Sequence, residues 1–216
     1  MTDDIEIYSL DQPIENQTYG HWTGEWWKYM ISSNSSGNGG IFKSQTNDNL
    51  WFLASEFVNE PTPHYESPEI KVGAFFLCPI NNQFVYSSSD KFEPLQNRTN
   101  FFVNSTKKIM ATIEKQGDHI TPLNPIRVYT SITELKYTKN LSAKVDQEDL
   151  FYSIDNNTTV FKDGQNVYAF ADGYWVFFKI VSPGGYKLQT YAEMPDFSNI
   201  SEIFKPQADY KLRIVS

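Results

Sequence analysis

Cysteine is almost missing from this chain, since Cys78 is the only one among its 216 residues. An internal disulfide is therefore excluded, which fits a reducing compartment without requiring one. Cys78 lies in the apolar segment 75–80, where a thiol usually behaves as a small buried hydrophobe. Burial without a cationic neighbour blunts a thiol, so we do not expect a nucleophilic cysteine.

Histidine is also scarce, with only His21, His64 and His119. Neither an HExxH motif nor a pair of histidines three to five residues apart draws them together, so the sequence predicts no metal site. Glycine-rich phosphate-binding motifs are missing as well, and we expect no cofactor.

Long apolar runs and positive charge are the other deficits. No segment approaches the roughly 20 apolar residues that cross a bilayer, so membrane insertion is not expected. Acidic residues outnumber basic ones by 26 to 18, which gives a formal net charge of -8. Phosphate backbones are repelled on average, which disfavours nucleic acid as a partner.

The localisation signals conflict. Residues 1–7 lack the basic and then apolar pattern of a signal peptide, which favours an intracellular location. Eight Asn-x-Ser/Thr sequons, more than the roughly three that composition predicts, favour a glycoprotein at the cell surface or in the medium instead. The alternative for these sites is an Asn-rich chain with many turns. The sequons begin at Asn16, Asn34, Asn97, Asn104, Asn140, Asn156, Asn157 and Asn199.

Aromatic residues are plentiful, at 16% of the chain. Residues 18–31 are predicted to form an amphipathic helix that Thr18 caps. The apolar face carries Tyr19, Trp22, Trp26, Tyr29 and Met30, with Trp27 near its edge. His21, Glu25 and Lys28 lie on the polar face.

The remainder of the chain is rich in strand patterns. Segments of β-branched and aromatic residues recur from residue 50 onward, and a second helix is predicted at about 99–116. Strands do not alternate with helices, so we expect a mainly β protein, an antiparallel β-sandwich with two accessory helices. The predicted organisation is a single domain, 1–216, with an N-terminal arm (1–17), a Trp-rich helix (18–31) and a β-rich body (50–216).

Five segments carry a resemblance to a known family. They are YGHWTGEWWKY (19–29), LWFLA (50–54), VGAFFLCPINN (72–82), ADGYWV (171–176) and SPGGYKL (182–188). In this order they are similar to a family of uncharacterised bacterial and archaeal proteins with YGEWSxxWWxW-like, WFLAG-like and ADGYW-like motifs. His21 replaces a usual acid of that pattern, and a Ser/Gly-rich loop replaces an NPxxDxTG-like segment. The resemblance implies a related fold and no particular activity.

Two functional hypotheses remain open. The first is a non-catalytic binding or assembly module, whose candidate partners are a second copy of the chain, a protein or a carbohydrate. The alternative is a hydrolase or metal-assisted enzyme using Glu25, His21, His64 or Asp172.

Two sets of candidate site residues accompany these hypotheses. The candidate polar site is His21, Glu25, Lys28 and Asp172. The candidate aromatic contacts are Trp27, Trp51, Tyr174 and Trp175, with burial in the core as the competing explanation. For Asp172, which precedes Gly173, the competing explanation is ordinary turn chemistry.

Overall fold

The computed structural model describes residues 4–32, 39–55, 62–87, 92–136, 151–153, 163–195 and 203–216. Within these ranges the protein is mainly β, with two β-sheets and two helices, which confirms the predicted fold class. The helices are α1 (Tyr19–Ser32) and α2 (Phe92–Asn104). In the described part of the chain, neither helix is long and apolar enough to cross a membrane.

Seven strands form the first sheet. They are β1 (Ile5–Ile7), β2 (Gly40–Lys43), β3 (Leu50–Ala54), β5 (Phe75–Ser87), β8 (Ile126–Lys136), β9 (Phe151–Ser153) and β10 (Asn166–Ile180). The long strands β5 and β10 pair at the centre of the sheet. Strands β1 and β8 both pair with the other edge of β10, and β3 and β9 pair with the other edge of β5.

Six strands form the second sheet. They are β4 (His64–Lys71), β6 (Lys108–Lys115), β7 (Ile120–Leu123), β11 (Gly184–Pro195), β12 (Ile203–Phe204) and β13 (Gln207–Val215). The order is β4-β13-β11-β6-β7, with β12 on β11. Most strand pairs are antiparallel, as predicted, whereas β3 with β5, β5 with β9, and β4 with β13 are parallel, so both sheets are mixed.

Helix α1 covers one face of the first sheet. Tyr19 and Trp27 are fully buried there, against strand residues such as Phe84 and Phe177. The indole nitrogen of Trp26 donates to the carbonyl of Leu53 at 2.8 Å. The predicted helix at 18–31 therefore forms, and its tryptophans attach it to the sheet.

The opposite face of the first sheet packs on the second sheet. Phe76, Cys78 and Phe178 from the first sheet meet Leu188 and Tyr210 from the second in one buried cluster. Because each strand alternates its side chains between two faces, the second sheet turns its remaining side chains outward. The layers are therefore α1, first sheet and second sheet.

Helix α2 lies beside the second sheet, on the same face of the first. Leu95 packs against Val85 and Phe170, and Phe102 packs near Met194 of β11. The helix predicted at about 99–116 was thus misplaced, since α2 spans Phe92–Asn104 and Lys108–Lys115 is a strand. Apolar residues at 109, 111 and 113 have a strand period of two, and pairing with β11 satisfies the backbone of β6.

Asp172 and Gly173 lie inside strand β10 and do not form the turn that was the competing explanation for Asp172. Gly173 lies opposite Asn82 of β5. A Cβ on Gly173 would lie 2.3 Å from the Cβ of Asn82, so glycine permits a close approach of the two strands. Gly173 therefore allows β5 and β10 to pack closely within the sheet.

Candidate binding face

The polar face of α1 holds three of the predicted site residues. His21 is exposed and its ring makes an edge contact with Trp22 at 4.9 Å between centroids. The ammonium of Lys28 lies 3.1 Å from a carboxylate oxygen of Glu25. Glu25 and Lys28 line a cleft of about 270 Å³, with Tyr29 and Phe52 among the other lining residues.

Asp172 lies on the opposite side of the first sheet from α1. Asp172 lies opposite Tyr129 of the neighbouring strand β8. The next residue of β8, Thr130, points to the other face of the sheet, where its hydroxyl lies 2.6 Å from that of Thr23 in α1. The sheet therefore separates Asp172 from His21, Glu25 and Lys28. The four residues do not form the single polar site that was predicted.

Arg127 holds Asp172 through two nitrogens. Its Nε and Nη2 donate to the two carboxylate oxygens at 3.0 and 2.6 Å. Nη1 and Nη2 also donate to the side-chain oxygens of Asn104 and Asn100 of α2, at 2.6 and 2.9 Å. The guanidinium stacks 4.8 Å from the ring centre of Tyr129.

This arrangement restrains the chemistry of Asp172. Its side chain is completely buried, and burial raises the pKa of the Asp172 carboxyl, while hydrogen bonds from Arg127 oppose that rise. Both carboxylate oxygens of Asp172 already accept hydrogen bonds from the guanidinium of Arg127. The network connects α2 to β8 and β10, so its role is structural.

The predicted aromatic contacts divide into two pairs. Trp27 and Trp175 are 0% and 1% exposed, so both belong to the core and present no surface to a ligand. Trp51 and Tyr174 are half-buried and pack against the cluster between the two sheets. The expectation that Trp27 lies near an edge was wrong, because its ring packs 5.2 Å from Phe84.

His64 lies on β4 of the second sheet, whereas the other predicted site residues lie on α1 or in the first sheet. Its Nδ1 is 3.3 Å from a carboxylate oxygen of Asp209 on β13. Lys187 lies 3.1 Å from the same oxygen, and the amide of Gln189 donates to the other at 2.9 Å. Asp209 thus joins β4, β13 and β11 across the outward face of the sheet.

We call this outward surface of β4, β6, β11 and β13 the open face. Its side chains form cross-strand rows, because the register places one residue from each strand side by side. One row consists of His64, Asp209, Gln189 and Thr112. The next row consists of Gln207, Tyr191 and Met110.

Two adjoining clefts occupy the open face. The first has a volume of about 410 Å³ and includes His64, Asp209, Gln189, Tyr191 and Met110 in its lining. The second has a volume of about 590 Å³. Charges of both signs line it, namely Glu66, Glu114, Lys187, Lys211 and Arg213.

The sequence patterns missed most of the open face. Strands were predicted near β11 and β13, and their alternation would have marked Lys187, Gln189 and Asp209 as outward residues. The parallel pairing of β4 with β13 has no local signal, and it is this pairing that brings His64 to Asp209. Within the described ranges, no three His, Cys, Asp or Glu side chains converge in a way that could hold a metal ion.

No protein-family model matches the chain, and no curated protein matches it. The resemblance drawn from the five sequence segments therefore stays a prediction.

Proposed function

We propose that this protein is a non-catalytic binding module whose ligand contacts the open face. The observation that carries the proposal is a sheet face with exposed polar side chains over two adjoining clefts of about 410 and 590 Å³. Both volumes fall within the range of about 300–1,000 Å³ that is common for ligand sites.

The fixed positions of the side chains support this proposal. Asp209 is held by contacts from His64, Lys187 and Gln189, which come from both neighbouring strands. Side chains that are already ordered lose little conformational entropy when a ligand binds. A face built on paired strands is also more rigid than one built on loops.

The hydrolase or metal-assisted alternative has weaker support. Its residues Glu25, His21, His64 and Asp172 are dispersed over α1 and both sheets. Asp172 accepts two hydrogen bonds from Arg127, which leaves it badly placed to take a proton from a water or a substrate. A binding function needs none of these groups to converge.

The proposal is tested by mapping ligand contacts with amide chemical shifts in solution. The probes are a set of soluble oligosaccharides, a hexapeptide library and inorganic phosphate, each up to about 10 mM, which detects even millimolar affinities. We expect at least one probe class to shift signals of β4, β6, β11 and β13 together.

Two results contradict the proposal. One is that the signals of the open face stay unchanged both with every probe and on concentrating the protein. The other is turnover of generic ester, glycoside or peptide substrates that Asp172→Asn or Glu25→Gln abolishes while the fold is kept. Shifts in the open face that appear only on concentrating the protein, with a change in mass by light scattering, favour a second copy as the bound partner and also support a binding role.

A further inference from the structure

We infer that the 410 Å³ cleft of the open face is a saccharide subsite, with Tyr191 and Met110 as its floor and Asp209 and Gln189 as its hydroxyl-binding edge. This inference rests on the proposed binding function and names the ligand class. A pyranose ring has one apolar C–H surface and a rim of hydroxyl groups, so its site needs an apolar surface beside hydrogen-bonding groups.

The apolar floor is a cross-strand pair. Tyr191 of β11 lies directly opposite Met110 of β6, and both side chains point outward. Met110 is 45% exposed, so its thioether is accessible to a ligand. An aromatic ring and a thioether offer a broad, polarisable surface for the C–H groups of a sugar.

The ring of Tyr191 is held from two sides. Its hydroxyl donates to a carboxylate oxygen of Glu193, and the ammonium of Lys108 lies 5.3 Å from its centre. These contacts fix the orientation of the ring before any ligand arrives. A flat surface with little remaining rotamer freedom binds at a smaller entropic cost.

The hydroxyl-binding edge is the neighbouring row of side chains. Gln189 precedes Tyr191 by two positions on β11, which places it about 6.8 Å along the strand, comparable to the span of one pyranose ring. Asp209 lies beside Gln189 with 12% of its side chain exposed, and the carboxylate oxygen that accepts from Gln189 keeps a second lone pair for one ligand hydroxyl. Gln189 is exposed. Among the described residues, its side-chain amide donates one hydrogen bond, to Asp209.

The charges of the cleft balance one another, which suits an uncharged ligand. Asp209 is the one acid among the described residues of the lining, Lys187 pairs with it at 3.1 Å, and the ammonium of Lys108 also lines the cleft. A neutral saccharide needs no excess of either charge at this site. A peptide that adds a strand needs a free sheet edge, whereas this cleft lies on the face of β11 and β6.

The inference is tested by titration calorimetry with cellohexaose, maltohexaose, laminarihexaose, xylohexaose and chitohexaose. We expect at least one to bind, and we expect Tyr191→Ala and Gln189→Ala each to raise its Kd about tenfold or more. Tyr191→Phe keeps the ring but loses the hydrogen bond to Glu193, so it should raise the Kd by less than Tyr191→Ala does. The matched controls on α2 are Phe101→Ala and Gln96→Ala, exposed residues away from the open face that should leave the Kd unchanged.

Retention of the native melting temperature in each variant shows that a lost affinity comes from the cleft. A saccharide whose affinity Tyr191→Ala leaves intact overturns the inference, as does a set in which no saccharide binds. If phosphate or a peptide shifts the open face while saccharides do not, the saccharide subsite is wrong and the binding function stands. If neither a probe nor a rise in protein concentration shifts signals of the open face, both are wrong.

Discussion

Arg127 and Asp172 form a two-point ion pair at the boundary between the first sheet and α2. The Nη2 and Nε atoms of Arg127 lie 2.6 and 3.0 Å from the two carboxylate oxygens, and the Asp172 side chain has no exposed surface. Because the guanidinium also binds Asn100 and Asn104, one side chain joins two strands to a helix. Loss of the pair would therefore weaken the attachment of α2 to β8 and β10.

Replacing Arg127 with methionine should destabilise the fold by about 3 kcal/mol, because it leaves a buried carboxylate without its cation. The pKa of Asp172, already raised by burial, should rise further. A carboxyl whose pKa is raised by folding binds its proton more tightly in the folded state than in the unfolded state. Its contribution to stability is therefore greatest below its ordinary pKa of 3.8 and is lost as the pH rises through the raised pKa of the folded state. The deficit in urea unfolding should thus be largest at neutral pH and shrink in acid.

The control for this prediction is Arg213→Met. Arg213 lies 2.9 Å from Glu69, but both side chains are more than half exposed, so no measurable loss is expected. Adding Asp172→Asn to Arg127→Met should remove the pH-dependent part of the deficit. An Arg127→Met protein whose deficit is the same at all pH values would show that Asp172 is not the group left uncompensated.

The success at α1 and the error at α2 have the same physical origin. Residues 18–31 keep a helical period over four turns, and Thr18 caps the helix by accepting from the amide of His21 at 3.1 Å. In residues 99–116, apolar residues at 109 and 113 fit a helix, and those at 109, 111 and 113 fit a strand. Residues 108–115 form a strand because they pair with β11, which lies more than 70 residues later in the chain. No local sequence pattern contains that information.

The open face was missed for a similar reason. The alternation of β11 and β13 identifies which residues point outward, but it does not say which strands lie beside them. His64 meets Asp209 across a parallel pair with a separation of 145 positions. Such a non-local contact depends on the whole fold, so the constellation becomes visible only when the two sheets are assembled.

Gly173→Ala should destabilise the fold by about 2–3 kcal/mol, as expected for overpacking in a filled interior. The new Cβ would lie 2.3 Å from the Cβ of Asn82 and 2.7 Å from the carbonyl oxygen of Asn81, both on the central strand β5. Thermal unfolding by circular dichroism measures the loss. An unchanged midpoint would mean that β5 and β10 can separate here without cost.

Gly20→Ala tests the same substitution where there is room. A Cβ on Gly20 would lie 3.7 Å from the carbonyl oxygen of Tyr129 and 3.9 Å from the hydroxyl of Thr130, which are ordinary contacts. Alanine loses less backbone entropy than glycine in a helix, so we expect a gain of about 0.5–1 kcal/mol. The same unfolding measurement applies, and a loss instead of a gain would show that α1 lies closer to β8 than these distances allow.

Asp4→Asn should destabilise the fold at neutral pH and cost little in acid. The Asp4 carboxylate accepts hydrogen bonds from the hydroxyl of Ser182 and the ammonium of Lys115, and these lower the pKa of Asp4. A lowered pKa in the folded state contributes stability above the ordinary value of 3.8, and that stability is lost as the pH falls through the lowered value. Unfolding curves of the two proteins should therefore begin to converge as the pH falls past 3.8 and coincide only below the lowered pKa of Asp4.

The control for Asp4 is Asp48→Asn. The Asp48 carboxylate lies 2.9 Å from Lys43, but its side chain is fully exposed and the pair should contribute nothing measurable. Equal losses for the two variants at neutral pH would show that the contacts of Asp4 with Ser182 and Lys115 add no stability.

Cys78 should report unfolding of the whole protein through its reaction with a thiol reagent. It is the only cysteine in the chain, it has no exposed surface, and burial raises the pKa of its thiol. Labelling requires the two sheets to part, so under native conditions it should be slower than in guanidinium chloride by at least about a thousandfold. Arg127→Met, with about 3 kcal/mol less stability, should speed native labelling roughly a hundredfold if opening is in fast equilibrium. Rapid labelling of a protein with an unchanged melting temperature would instead reveal local opening of β5, and the core between the sheets would then not be the most stable part of the fold.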